Sequence, residues 1–391
     1  MNPCEYLSVL NGGTGSGMLT ANLLLSGADN KVLSWCFENV LAGCSAEGKT
    51  LVVVDDANLL DASAHALLGQ AGFSLRNLLS GNTCLYDPFR YGSLIGMTSL
   101  RQIIEAMELD EEKKLTVIAY LNLISQIEML LNVDSAALNI SKLMLNYGAA
   151  FMVQSKIGEL RKKGLIDEEQ QTCMLARYEE SSSVAPVLEN ILFALYPFAN
   201  SEREKLCPER GSALVAPLHL LDGDKNLKNA VLSLLRFGLN ELDLSKIHIL
   251  IIDKGYGDRT ALSGFIEKAP AASTTLISKD VFTLGEGALE TVFNRFELRL
   301  FSRHSVPDSC VELERTLGEA LVARNSYASH HDRHWAANKP LDVLFGRNKT
   351  EVYTKLAPSY EAKYRREFIS SLPEGTAIIE YNGNSSIVSC G

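Results

Sequence analysis

The chain has 391 residues, 46% of them hydrophobic and 21% charged, which suits a globular protein with a sizeable core rather than a disordered or fibrous one. Its formal net charge of −10 argues against an extensive nucleic-acid footprint, which would be basic. No uninterrupted apolar run approaches the ~18 residues of a spanning helix and the amino terminus lacks a signal-peptide pattern, so a cytoplasmic chain without a membrane span is expected.

The first pattern in the chain is a glycine loop. A short apolar run over 6–10 leads into Gly12, Gly13, Thr14, Gly15, Ser16 and Gly17, and a helix is expected over 18–25. Strand, glycine loop and helix in that order form a phosphate-binding arrangement, in which backbone N–H groups and a helix N-terminus surround the anion. The full pattern G-x-x-x-x-G-K-[ST] places a lysine on the β/γ-phosphates and a hydroxyl on Mg²⁺. Here those positions hold Met18 and Leu19. Thr20 comes one residue late, about 100° around a helix, and does not replace the hydroxyl.

Strand-length apolar runs follow at 51–54, 83–86, 212–218, 247–252, 274–277, 296–301 and 376–381. Several are continuous rather than alternating, as in strands covered on both faces. Their alternation with helical stretches predicts an α/β fold with a doubly wound, mostly parallel sheet. From 97 to 205 the apolar residues fall at helical spacing, predicting an all-helical insertion of about four to six helices with exposed turns at 164–170 and 179–183. The polar, histidine-containing stretch 325–354 reads as a long loop or a poorly packed extension.

The run over 247–252 ends in Asp253, as a strand ends that holds Mg²⁺ through an acidic residue. The position after it holds Lys254, which has the wrong charge to orient an attacking water. Asp55 and Asp56 end another strand and read first as helix caps, second as acidic groups near the phosphate loop. Lys254 and Lys279 are both expected at carboxyl ends of strands. There they either pair with Asp253, Asp55 or Asp280, or stand in for the lysine missing at 18. His330, His331 and His334 read as part of a polar surface loop, with metal binding as the sharper alternative. The eight cysteines include no C-x-x-C pair and are expected to be reduced and mostly buried.

Taken in order, these features resemble the type IV secretion coupling proteins, the conjugative DNA-transfer ATPases of the TraG/TraD kind. The resemblance lies in order and spacing and covers nearly the whole chain. It is carried by the glycine loop, the acidic strand end at Asp55-Asp56, and Asp87-Pro88 near a second strand. It continues through the helical insertion, the strand ending at Asp253, and Asn294-Arg295-Phe296-Glu297-Leu298-Arg299-Leu300-Phe301. Leu317-Gly318 and Leu372-Pro373-Glu374-Gly375 before a last hairpin complete it.

The resemblance implies a RecA-like P-loop domain over 1–96 and 206–391, interrupted by the insertion at 97–205. It implies ATP and Mg²⁺ as cofactors, the latter on Asp253, and protein partners in a secretion or conjugation complex, as a homo- or hetero-oligomer. Met18, Leu19, Lys254 and Lys279 depart from the family pattern, which implies ATP binding that is weak or lost. Only eleven residues precede Gly12, so the family's amino-terminal membrane anchor is not expected. The expectation is a pseudo-ATPase that recruits substrate or supports assembly. An active NTPase using relocated lysines, and an interaction scaffold unrelated to DNA transfer, are the alternatives.

Overall fold

The computed structural model describes residue 3 and residues 22–58, 62–78, 83–84, 93–107, 109–131, 140–199, 204–205, 211–221, 223–240, 242–254, 260–267, 272–284, 286–331 and 350–390. Gly12, Gly13, Thr14, Gly15, Ser16 and Gly17, the strand expected over 6–10, Met18, Asp87 and His334 lie outside these residues.

In chain order the strands are β1 (Leu23–Ser26), β2 (Thr50–Asp55), β3 (Ser74–Asn77), β4 (Thr83–Cys84), β5 (Glu204–Lys205), β6 (Ser212–Pro217) and β7 (Ile247–Asp253). They continue with β8 (Ser273–Ser278), β9 (Leu298–Phe301), β10 (Glu319–His331), β11 (Thr350–Ala362), β12 (Thr376–Tyr381) and β13 (Asn384–Ser389). The helices are α1 (Asn30–Glu47), α2 (Ala62–Gln70), α3 (Ser93–Ala106), α4 (Glu111–Leu131), α5 (Ile140–Tyr147), α6 (Ala150–Lys162) and α7 (Glu168–Ser181). After these come α8 (Ala185–Ala199), α9 (Lys225–Asn240), α10 (Thr260–Glu267), α11 (Glu286–Arg295), α12 (Pro307–Leu317) and α13 (Arg366–Ser370).

Nine strands form one sheet in the order β13-β12-β9-β1-β8-β7-β2-β6-β3. All neighbours from β9 to β3 run parallel, and β12 and β13 close the other side as an antiparallel hairpin. The fold is therefore α/β with a mostly parallel sheet. Continuous apolar strands make sense here, because both faces are covered. Leu23, Leu25, Leu51, Val53, Leu250 and Ile252 lie in one core with Val32, Cys36, Val40 and Cys44 of α1. The alternate residues Leu24, Val52, Val54, Ile249 and Ile251 are equally buried.

The helix expected over 18–25 is not formed at its end, where residues 23–26 make the central strand β1. Three consecutive leucines suit either structure, and burial on both faces together with the turn that follows selects the strand. The described residues between 93 and 199 are helices joined by short turns, with one 3-10 turn at Ser182–Val184. The two turns expected there are shorter than foreseen. Asp167 caps α7 in a capping box with Gln170, and 179–181 complete that helix.

Contrary to expectation, among the described residues one helix is long and apolar enough to cross a membrane by length and composition: α4, 21 residues, with an 18-residue window of mean hydropathy 1.3. It packs against α3, α6, α7 and α8 and buries Val117, Tyr120, Leu121, Ile124 and Ile127. It also buries Glu128, whose carboxylate receives the Tyr147 hydroxyl. Leu115 and Met129 on its other side are exposed, so α4 is buried on one face.

The described residues divide into two compact units, Met1–Arg303 with Pro373–Gly391, and His304–Leu372. In the second unit, the described parts of the stretch expected to be a loop, 325–331 and 350–354, are strand. β10 and β11 pair antiparallel over thirteen residues each, from Glu319↔Ala362 to His331↔Thr350. His330 and His331 are the last two residues of β10.

Candidate functional site

In an open parallel sheet, ligands bind beyond the carboxyl ends of the strands where the connections diverge. The connection from β1 passes through α1 to β2 on one side, and that from β8 passes through α11 to β9 on the other. The crevice between the ends of β1 and β8 is that switch point. Strand register sets Ser26 beside Ser278 and Ser278 beside Asp253, so three strand ends lie level. Asp253 is fully buried and accepts a hydrogen bond from the Ser278 hydroxyl at 2.6 Å on Oδ2.

The turn after β1 is Gly27-Ala28-Asp29, and α1 starts at Asn30. This is the strand–turn–helix element at the centre of the sheet, and its N–H groups are taken within the protein. Gly27 N–H donates to the Ser278 carbonyl at 3.0 Å and Ala28 N–H to the Arg303 carbonyl at 3.1 Å. Asp29 N–H meets the Ser302 hydroxyl at 3.4 Å. Lys31 and Val32, in the first turn of α1, donate to Asp29 Oδ1 at 2.9 and 3.1 Å. Asp29 Oδ2 accepts the Gly375 N–H at 2.9 Å.

Asp29 is 4% exposed, so an internal carboxylate sits at the helix end where the backbone dipole favours negative charge. Gly27, at φ 132°, has no room for a side chain, because a Cβ there would overlap the Ser302 hydroxyl.

Lys254 and Lys279 follow β7 and β8 as expected, the first half-buried and the second exposed. Among the described residues a buried lysine is found elsewhere, Lys228 of α9, which forms an ion pair with Asp56. Asp55 accepts the Ala57 N–H at 3.1 Å, and its Oδ2 lies 3.9 Å from His219 Nδ1. Neither aspartate is used as the expected cap, since α2 begins at Ala62. Asp280 accepts the Phe282 N–H at 3.2 Å and starts a 3-10 turn.

The sequence reading missed Asp29, Ser302, Gly375 and Lys228. An Asp just before a helical run is a legible cap signal. The partners of Asp29 from the far end of the chain leave no local signal. Among the described residues no group of three or more His, Cys, Asp or Glu side chains forms a metal site.

No family model matches the chain. No curated protein matches it either. Among solved structures it is similar to the plasmid coupling protein TrwB in complex with the non-hydrolysable GTP analogue GDPNP. The TM-score is 0.55 at 13% identity, over 96% of this chain and 86% of that one. TrwB in complex with ADP and Mg²⁺ gives 0.52 at 12% identity, over 97% and 86%. VirB4 of Thermoanaerobacter pseudethanolicus gives 0.51 at 10% identity, over 94% and 88%. At such identities the likeness is one of fold. The chain has the α/β fold of the plasmid coupling protein TrwB and of VirB4.

Proposed function

We propose that the chain is a coupling-protein-like subunit of a conjugation or type IV secretion system that holds a closed nucleotide site and hydrolyses ATP weakly or not at all. The observation that carries this is Asp29. Its carboxylate occupies the helix N-terminus after the central strand, and the turn's N–H groups are spent on protein acceptors. A nucleotide phosphate there would meet a like charge and donors already engaged. The N-terminus of α1 therefore leaves little to hold a phosphate. Met18, Leu19 and Lys254, which replace the groups that hold phosphate, Mg²⁺ and water in such enzymes, favour the same reading.

The working part is then the interaction surface, with the helical insertion at 97–205 as the region that meets cytoplasmic protein partners or substrate. The net charge of −10 disfavours extensive DNA binding. Purified protein with Mg²⁺ and ATP is expected to show negligible turnover and no saturable nucleotide binding. Gly15→Ala, Lys254→Ala and Lys279→Ala should leave that result unchanged. Turnover near about 1 s⁻¹ that is abolished by Asp253→Ala overturns the reading. Affinity purification from cells carrying a conjugation system should retain its ATPases; their absence favours an unrelated scaffold.

A further inference from the structure

We propose that Asp29 is a latch that makes the carboxyl-terminal hairpin and the turn after β1 open and close as one unit. The inference rests on the closed-site reading and adds what keeps the site closed. One carboxylate serves three N–H groups from two distant parts of the chain. Lys31 and Val32 belong to the first turn of α1, and Gly375 stands at the base of the β12–β13 hairpin. The Gly375 carbonyl in turn accepts the Cys390 N–H at 2.7 Å, so the residue held by Asp29 also ties the hairpin's two ends together. Gly375 has φ 75°, the left-handed region, which a side chain at this position would strain.

Ser302 completes the closure. Its hydroxyl faces Asp29 N–H at 3.4 Å and its own N–H donates to the Ser26 carbonyl at 2.9 Å. The ion pair of Lys31 with Glu374 lies outside at 3.5 Å, both side chains well exposed, and contributes little to holding the segment. Releasing the hairpin removes one partner of a buried carboxylate, which weakens the hold on the other two. By reciprocity, loosening the turn weakens the hold on the hairpin.

Native-state hydrogen exchange on the full chain tests this without any nucleotide, so the result is independent of the ATPase assay. In the parent protein the amides of Lys31, Val32 and Gly375 are expected to share one opening equilibrium. Asp29→Asn keeps an oxygen for Lys31 and Val32 and loses the acceptor for Gly375. The latch predicts that all three amides still exchange faster together, by about tenfold or more, while Val40 in mid-α1 and Leu250 in β7 keep their protection. Gly375→Ala perturbs the other end and should accelerate Lys31 and Val32 by the same factor as Gly375's neighbours. Acceleration confined to position 375 in the first variant, unchanged Lys31 and Val32 in the second, or separate openings in the parent each overturn the latch. The parent measurement stands even where a variant fails to fold.

Discussion

The Ser278 hydroxyl donates to Asp253 across adjacent strand ends at 2.6 Å, with both residues fully buried. The Asp253 carboxylate thereby accepts a hydrogen bond between β7 and β8. Asp253→Ala and Ser278→Ala should each cost about 1–3 kcal/mol in chemical denaturation, and the double variant clearly less than their sum. Additive losses would separate the two residues and reopen a ligand role for Asp253.

The buried pair of Lys228 with Asp56 gives a second expectation. Both side chains are under a tenth exposed, so losing either one takes a direct partner from a buried charge. Lys228→Met alone should destabilise by about 3–5 kcal/mol, and Lys228→Met with Asp56→Leu by much less. Urea denaturation of the three variants decides it; equal losses in single and double variants contradict it.

Thiol chemistry separates the described cysteines. Burial pushes the Cys44 thiol up to about 12, with Lys49 opposing and Glu47 adding to the rise. Burial, and then Cys390 nearby, also raises Cys36. Cys173 is exposed. Brief alkylation at pH 8 followed by peptide mapping should label Cys173 and spare Cys36 and Cys44, because the thiolate is the reactive form. Equal labelling would mean that the core opens readily.

Glu159 on α6 gives a pH effect with a definite sign. Hydrogen bonds from Lys163 first, and Lys156 second, bring its carboxyl from 4.5 down to about 2. A depressed folded-state value means the contribution is present above about 4.5 and is lost as the pH falls toward 2. The group is exposed, so water and salt screen it, and Glu159→Gln should cost under about 1 kcal/mol at neutral pH. NMR titration should find the low value and see it rise in Lys163→Ala.

Much of the sheet was legible because its strands are apolar on both faces. The runs around Val53, Leu214, Ile249 and Leu276 all became strands at the expected places. Leu23, Leu24 and Leu25 were misread as the tail of a helix, since a short leucine run carries no period. The stretch after Asn325 looked like a loop because its residues are polar and lack a core-facing alternation. Its described ends, 325–331 and 350–354, pair as antiparallel strands instead. At the site, Asp253, Lys254 and Lys279 were placed correctly at strand ends by the pattern of apolar runs. Asp29 was not found, because its role depends on Gly375, 346 residues away.

The apolar character of α4 has a consequence during synthesis. Its last residue, Leu131, is made 68 residues before the end of α8 at Ala199, one of the helices that bury it. At ~5–20 residues per second that is an interval of about 3–14 s. Through that interval a segment long and apolar enough for a bilayer emerges from the ribosome with α3 made and α6, α7 and α8 still to complete its cover. The segment carries Glu128, which has no Tyr147 to bind until the next helix is made. A carboxylate is costly in hydrocarbon, so the residue satisfied inside the finished core is also the one that discourages misdirection of the nascent chain to the membrane-insertion machinery.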